Sequence, residues 1–252
     1  MNTLTLTPLP GIPFVRQGDD LAEIVLHAVA RARLNLEDGD IFVVAQKVVS
    51  RAEGRLVDLR TVTPSAEARR LAAQTQKDPR LVELILSESR AVLRAAPGVL
   101  IVEHKLGFVC ANAGIDHSNV CGDDECVLLL PEDPDRSAAQ LRARLEQATG
   151  KRLGVVINDS HGRAWRLGTV GVAIGVSGVP VLVDVRGRHD LVGRELRITQ
   201  IGAADELAAA ASLIMGQAAE GLPVVHVRGF PYPLRESRLQ ELIRPREKDL
   251  FR

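Results

Sequence analysis

The chain has 252 residues, with 32 basic and 32 acidic side chains and a formal net charge of zero. Neutrality removes the usual electrostatic footprint of a nucleic-acid binder. Few aromatic side chains (five Phe, Trp165 and Tyr232) are available for bases to stack on. Hydrophobic residues at 46% and charged residues at 25% are ordinary for a globular protein, and no apolar run reaches the roughly 20 residues that a bilayer span needs. Neither a nucleic acid nor a membrane is therefore an expected partner. The stretch 1–10 lacks the basic and apolar regions of a signal peptide. The expected compartment is cytoplasmic, with Cys110, Cys121 and Cys126 as reduced thiols whose spacing fits no common zinc pattern.

In chain order, the first expected element is a helix over Asp20–Leu34. Leu21, Ile24, Val25, Ala28 and Val29 share one face, and Asp19 or Asp20 caps it. A turn at Glu37–Asp40 leads to an apolar strand, Ile41–Ala45. Pro64 and Pro79 each sit where a helix should start, and the second of these helices carries Leu81, Leu84, Ile85 and Val92. Gly98–Glu103 and Phe108–Ala111 read as a hairpin turning at Gly107. Arg136–Thr149 reads as a helix capped by Asp135 and stopped by Gly150. Leu153–Ile157, Val170–Val176, Pro180–Val185 and Glu195–Ile201 read as strands, Ala204–Met215 as a helix and Pro223–Val227 as a last strand. The charged stretch Arg235–Arg252 reads as a surface helix and tail. Hairpins mix with helices without strict β-α-β alternation, so the fold class is α+β: mixed sheets with packed helices, neither a Rossmann nor a P-loop fold. The expected organisation is one catalytic unit over 1–235, or two intimately joined subdomains with Pro131–Pro134 as the best joint, followed by a charged tail over 236–252.

Two motifs carry chemistry. Asn112-Ala113-Gly114-Ile115-Asp116-His117-Ser118-Asn119 and Asn158-Asp159-Ser160-His161-Gly162-Arg163-Ala164-Trp165-Arg166 each follow an apolar run. Each sets an aspartate among hydroxyls, amides and glycines where a strand is expected to end. Such oxygen donors suit a hard divalent cation with positions left for phosphate. Gly114 permits a positive φ, and Arg163 or Arg166 has the planar fork that holds phosphate or carboxylate. Taken singly, Asp116 reads equally well as a turn-stabilising residue and the arginines as solvated. His117 and His161 lie inside the motifs but have no ligand spacing, so at most they support the ligands. Lys47 or Arg51, just after a strand, can neutralise a nucleotide phosphate. Met215–Gly221 is either a nucleotide wrap or an ordinary helix stop. Glycines 168, 171, 175 and 178 form no dinucleotide fingerprint and read as aids to tight strand packing and turns. There is no Walker-type phosphate loop and no His-Glu-x-x-His.

Taken together these segments resemble the coenzyme F420-0:L-glutamate ligase family. The matching stretches are Gly11-Ile12-Pro13-Phe14 with Gly18–Leu21, then Val43–Arg55, Asn112–Asn119, Val155–Arg166, Ala173–Gly175, Asp205–Ala208 and Met215–Gly229. The resemblance implies the family's own α+β fold, a homodimer, GTP as co-substrate, and Mg²⁺ or Mn²⁺, with K⁺ as a further cation. It implies Asp116, Asp159 and Ser160 as metal ligands. The family's metal-binding Glu aligns with the neutral Gln217, and a nucleotide-site Lys aligns with Arg51. Around GTP it places Gly11, Ile12, Pro13, Phe14, Gln46, Lys47, Arg51, Asn119, Met215, Gly216, Gln217, Ala218, Ala219, Glu220, Gly221 and Leu222. Some bacterial relatives carry an added nitroreductase-like domain, for which this chain is expected to be too short.

The implied reaction activates the lactyl carboxylate of F420-0 as an acyl phosphate, which the amine of L-glutamate then attacks. Further γ-linked glutamates can follow. Arg163 and Arg166 are expected to hold a substrate anion. A metal-dependent nucleotide phosphohydrolase and a non-catalytic GTP- or F420-binding module are the alternatives.

Overall fold

The computed structural model describes residues 3–117, 120 and 124–250. The elements in order are β1 (Thr5–Pro8), α1 (Leu21–Arg31), β2 (Ile41–Ala45), α2 (Gln46–Ala52), β3 (Leu56–Asp58), α3 (Ala66–Thr75), α4 (Pro79–Ser87), β4 (Ser89–Ala96), β5 (Val99–His104), β6 (Val109–Ala111) and β7 (Cys126–Leu128). They continue with α5 (Pro134–Thr149), β8 (Gly154–Arg163), β9 (Arg166–Ser177), β10 (Val183–Asp184), β11 (Gln200–Ile201), α6 (Ala203–Met215) and β12 (Val224–Arg228). The class is α+β, as the sequence implies.

The main sheet has the order β1-β12-β2-β8-β9. Only β2 and β8 run parallel; every other pairing in it is antiparallel. Both of its faces are covered, which is why β2 reads as a continuous apolar run. Strand alternation sends Phe42 and Val44 toward α1 and α5, with Val155 and Ile157 of β8 beside them. It sends Ile41, Val43 and Val156 toward α6, whose Ala204, Leu207, Ala208, Ala211 and Met215 form the opposite layer. A smaller sheet, β4-β5-β6, packs on α3 and α4 through Leu71, Val82, Ile85, Leu100 and Val102. The β3–β7 ribbon lies between the two sheets in the chain. Phe108 packs against the cluster on the α1 and α5 side of the main sheet and against that of the smaller sheet, and so joins the two.

Several expectations are corrected. Ser65 caps α3, so Pro64 lies before the helix rather than at its first position. Val92 belongs to β4, not to α4. Asp133 caps α5, and Asp135 instead accepts the backbone N–H groups of Val176 and Leu239. Of the two later strands, Val183–Asp184 pairs with Gln200–Ile201, and Glu195 makes an isolated bridge to His189. The segment from Arg235 forms two short 3-10 turns, Leu239–Glu241 and Arg246–Lys248, rather than a helix. The largest correction concerns the second aspartate motif: β8 does not end at Ile157 but runs on through Arg163 and pairs with β9 throughout.

Candidate active site

Strand direction brings four chain segments to one end of the main sheet. β1 ends beside the start of β12, where the Leu9 N–H donates to Val224 O at 2.9 Å. β12 starts beside the end of β2, where the Ala45 N–H donates to Pro223 O at 2.8 Å. Ala45 in turn is the register partner of Asn158 in β8. The turn after β1 (Gly11–Phe14), the start of α2 after β2 (Gln46–Arg51) and the turn before β12 (Met215–Leu222) therefore lie at the same end of the sheet as the stretch Asn158–Ser160. Ligands of open α/β sheets gather at the carboxyl ends of parallel strands, and β2 and β8 supply that edge here.

Asp116 reaches this end from the smaller sheet. After β6 the chain turns through Asn112, Ala113 and Gly114, whose φ values are 51°, 54° and 65°. Left-handed backbone at two non-glycine residues is strained, and such strain is held where the surroundings enforce it. Asn112 Oδ1 accepts the Leu100 N–H, Ala113 is fully buried, and a Cβ on Gly114 would lie 2.7 Å from Leu130 Cδ1. The positive φ expected at Gly114 is thus present. Asp116 is then fixed by paired backbone bonds to Leu128, each 2.9 Å. Its Oδ2 accepts a short hydrogen bond from Gln46 Nε2, and Lys47 Nζ lies 3.3 Å from Oδ1. Gln46 is fully enclosed and its Oε1 accepts from Ser50 Oγ at 2.9 Å.

Asp159 stands on β8 with its side chain 11% exposed, and His161 Nε2 lies 2.9 Å from its Oδ2. Burial pushes the Asp116 carboxyl up to about 6; Lys47 opposes the rise and the nearby Asp159 carboxylate adds to it. Burial also raises the Cys110 thiol to about 12, and Asp159 again contributes. The Asp159 charge is thus felt at Asp116 and at Cys110, although Asp116 and Asp159 are 43 residues apart in sequence (159 − 116).

Because β8 continues as a strand, neighbouring side chains leave it on opposite faces. Asp159 and His161 point to the side of Cys110 and Phe108. Asn158 and Ser160 point to α6: Asn158 Nδ2 donates to Met215 Sδ at 3.5 Å, and Ser160 Oγ donates to Gln217 Oε1 at 2.9 Å. The adjacent carboxylate and hydroxyl do not present their oxygens from one turn, as the sequence suggested. Gly171 and Gly175 behave as expected of packing residues, a Cβ on Gly171 meeting the Ala208 carbonyl at 2.5 Å and one on Gly175 meeting Pro134 C at 2.5 Å, whereas Gly168 (φ 81°) faces open space and serves the turn instead.

The remaining expected residues divide. Gly11 (φ 73°) packs against Arg31, and the exposed Phe14 ring carries the Arg51 guanidinium 3.9 Å from its centroid. Arg51 Nη2 also donates to Val120 O. Gly216 (φ 72°) ends α6, and the Ala218 N–H donates to Glu220 Oε2 at 2.8 Å, which curls that turn on itself. Asn119 lies outside the described residues. Arg163 and Arg166 pair at the tip of the β8–β9 hairpin beside the exposed Trp165, and Arg163 Nη1 donates to Gly168 O at 3.3 Å. At about 3.3 Å per residue, Arg163 is some 13 Å along the strand from Asp159, so this chain's own fold does not bring the two arginines to the carboxylates. His161 as partner of Asp159 is the contact that the motif reading did not specify. Its signal was the i, i+2 spacing, visible only once the strand is known to continue.

Among the described residues no group of three or more His, Cys, Asp and Glu side chains could hold a metal ion. The oxygen donors at this end of the sheet are the Asp116 and Asp159 carboxylates on one side of β8 and the Ser160 hydroxyl with the Gln217 amide on the other. An all-oxygen, incomplete set of this kind fits Mg²⁺ or Mn²⁺, which keep water and phosphate oxygens in the remaining positions.

Comparison with known proteins gives the family. The profile of the F420-0:Gamma-glutamyl ligase family matches residues 11–229, and the chain belongs to that family. It is accordingly an enzyme of the ligase class. Similar proteins named coenzyme F420:L-glutamate ligase are found in Methanothermobacter thermautotrophicus (48% identical, 99% of each chain), Methanopyrus kandleri (48%; 99% of this chain, 98% of the other) and Archaeoglobus fulgidus (46%; 97% and 95%).

Proposed function

We propose that this chain joins L-glutamate to the lactyl carboxylate of F420-0 at the expense of GTP, with further γ-linked additions open to the same site. The names of relatives that match nearly end to end support the substrates. The observation that carries the chemistry is the Asp116–Asp159 pair at the end of the main sheet to which four chain segments come.

A carboxylate does not exchange its oxygen for an amine directly, because the leaving group is too poor. In the proposed reaction a carboxylate oxygen of F420-0 attacks the γ-phosphorus of GTP, and GDP leaves. The glutamate amine then attacks the acyl carbon, the C–O bond to phosphate breaks, phosphate departs and the nitrogen loses a proton. Mg²⁺ or Mn²⁺ would be held by Asp116 and Asp159 and would supply charge neutralisation for phosphoryl transfer; Ser160 and Gln217, on the opposite face of β8, belong to the metal set by resemblance. Lys47 and Arg51 offer positive charge beside the Gly11–Phe14 and Met215–Leu222 turns, which would enclose the nucleotide. Asn119 belongs to this nucleotide set by resemblance, and K⁺ is a further cation of the same proposal. Gln46 acts through Asp116, since its amide is enclosed and committed to Asp116 and Ser50.

A homodimer belongs to the same reading. Trp165 (88% exposed) and Leu167 (98%) crown the β8–β9 hairpin, and Leu191, Val192 and Ile198 are exposed on the excursion that follows β10. Five large apolar side chains in water favour a partner surface. In a dimer, Arg163 and Arg166 at the hairpin tip can hold a substrate anion for the second copy.

The test is mass spectrometry of a reaction containing the protein, F420-0, L-glutamate, GTP and Mn²⁺. Products spaced by one glutamyl unit and absent without GTP are expected. Asp116→Ala and Asp159→Ala should each abolish them while circular dichroism stays unchanged. GTP hydrolysis at full rate without glutamate, leaving the acceptor mass unaltered, would refute the ligase reading.

A further inference from the structure

Asp159 is not left to find its own orientation. His161 Nε2 lies 2.9 Å from Asp159 Oδ2, and the two side chains are only 12% and 11% exposed. They are two residues apart on one face of β8, so the strand itself fixes their separation. The imidazole ring is held in turn. Phe108 packs against it at 5.2 Å between centroids with planes at 53°, and Phe108 is stacked on His104 at 5.2 Å and 8°. His104 is the anchor of this stack: it is buried, its Nδ1 accepts the Leu106 N–H at 3.0 Å, and its backbone N–H donates to Phe108 O at 2.9 Å. The β5–β6 turn thus presses an aromatic wedge onto the ring that touches Asp159. Phe108 itself is wedged between the core of the smaller sheet and that on the α1 and α5 side of the main sheet.

We propose that His161 is a positioning residue, which orients the Asp159 carboxylate so that its second oxygen faces the cation site shared with Asp116. The proposal rests on the metal reading above. A carboxylate without such a partner rotates freely about its last bond, and the cation then meets a misdirected donor. A nitrogen donor is a poor direct ligand for Mg²⁺, and Nε2 already faces Asp159. Partners standing behind metal ligands in this way typically govern affinity by about 10- to 100-fold.

The experiment is titration with Mn²⁺ alone, read from the free-ion electron paramagnetic resonance signal, on wild type, His161→Ala, His161→Gln and Asp159→Ala. Melting temperatures are recorded in parallel. His161→Ala is expected to weaken Mn²⁺ binding about 10- to 100-fold with little change in melting temperature. His161→Gln, which returns an N–H near the place of Nε2, is expected to restore most of the loss. In turnover, His161→Ala should need more Mn²⁺ for half-maximal activity and approach the wild-type kcat at saturation, whereas Asp159→Ala should not recover. Wild-type affinity in His161→Ala alongside weakened Asp159→Ala overturns the positioning role and leaves the site reading standing. Unweakened Asp159→Ala overturns the site reading itself. Failure of the Gln variant to restore binding would show that ring bulk rather than the hydrogen bond matters, and overturns the proposal. If His161→Ala does not fold, His161→Leu, which keeps bulk against Phe108 without a donor, takes its place on the same criteria.

Discussion

A single methyl group at Gly171 should separate the enzyme's stability from its chemistry. Gly171 pairs with Ser160 across the β8–β9 hairpin, and its missing side chain is where α6 rests. An added Cβ would lie 2.5 Å from the Ala208 carbonyl oxygen, 2.6 Å from Asn158 Oδ1 and 2.6 Å from Ser212 Cβ. Ordinary contacts of this kind need about 3.5 Å, so α6 must withdraw by about 1 Å. Overpacking of this order costs about 1–3 kcal/mol, which lowers the melting temperature of a chain this long by roughly 2–4 °C per kcal/mol. The same withdrawal acts on the site. α6 ends at Met215, and two residues later Gln217 accepts from Ser160 Oγ at 2.9 Å. Lengthened by about 1 Å, that contact is no longer a hydrogen bond, and a misplacement of this size can cost about 100-fold in rate. Gly175→Ala is the control: its Cβ would meet Pro134 C at 2.5 Å and O at 2.6 Å, at the start of α5, which carries none of the site side chains. Calorimetry should show both variants destabilised. Turnover measured well below either melting temperature should fall at least tenfold only in Gly171→Ala. Equal turnover in the two variants, or an undisturbed melting temperature in Gly171→Ala, would refute the reasoning.

Two other perturbations follow from buried polar groups. Burial alone would raise the Asp40 carboxyl, but the Arg228 guanidinium, the His226 ring and the Glu37 N–H together hold it well below its ordinary 3.8. A depressed carboxyl contributes stability that is complete above its unfolded value and is lost as the pH falls below it. Asp40→Asn should therefore be less stable than wild type at pH 7 by about 3 kcal/mol. It should lose less further stability between about pH 4 and pH 2, as urea midpoints at several pH values would show. For Gln46, which is enclosed between Asp116 and Ser50, Gln46→Leu should weaken Mn²⁺ binding and cost about 1–3 kcal/mol of stability. Titration with GTP in the absence of metal should give wild-type affinity. A loss confined to GTP would return Gln46 to the nucleotide.

What was legible in the sequence was whatever a helix or strand covers with apolar neighbours. β2 is apolar at every position because both of its faces are packed, and α1 shows its stripe because only one is. β8 misleads: its apolar run stops at Ile157, yet the strand continues through polar and glycine residues that read as a loop, although Asn158 is still buried beneath α6. β4 escaped notice because two register shifts against β5 break the period of two that marks a strand. α2, at seven residues, is too short to display a period, and its polar first residue gives no sign of being buried. The charged C-terminal segment reads as a solvated helix, but contacts from distant parts of the chain tie it down: Asp135 accepts the Leu239 N–H and Ser237 donates to Val179 O.

The two aspartates stand out in the sequence as candidate ligands, yet their relation to each other does not, because they arrive from different sheets. Asp116 hangs from β7 and is steadied by the start of α2. Asp159 rides the β8–β9 hairpin of the main sheet. No local pattern encodes their approach; it depends on how the small sheet docks on the large one, and Phe108 is the side chain that belongs to both cores. That same ring bears on His161, and through it on Asp159. Any rocking of the small sheet would therefore alter the gap between the carboxylates and the aim of one of them together. A cation bound between Asp116 and Asp159 would resist that motion. Metal binding on this architecture would then fix the docking of the two sheets as well as the charge on the substrate phosphates.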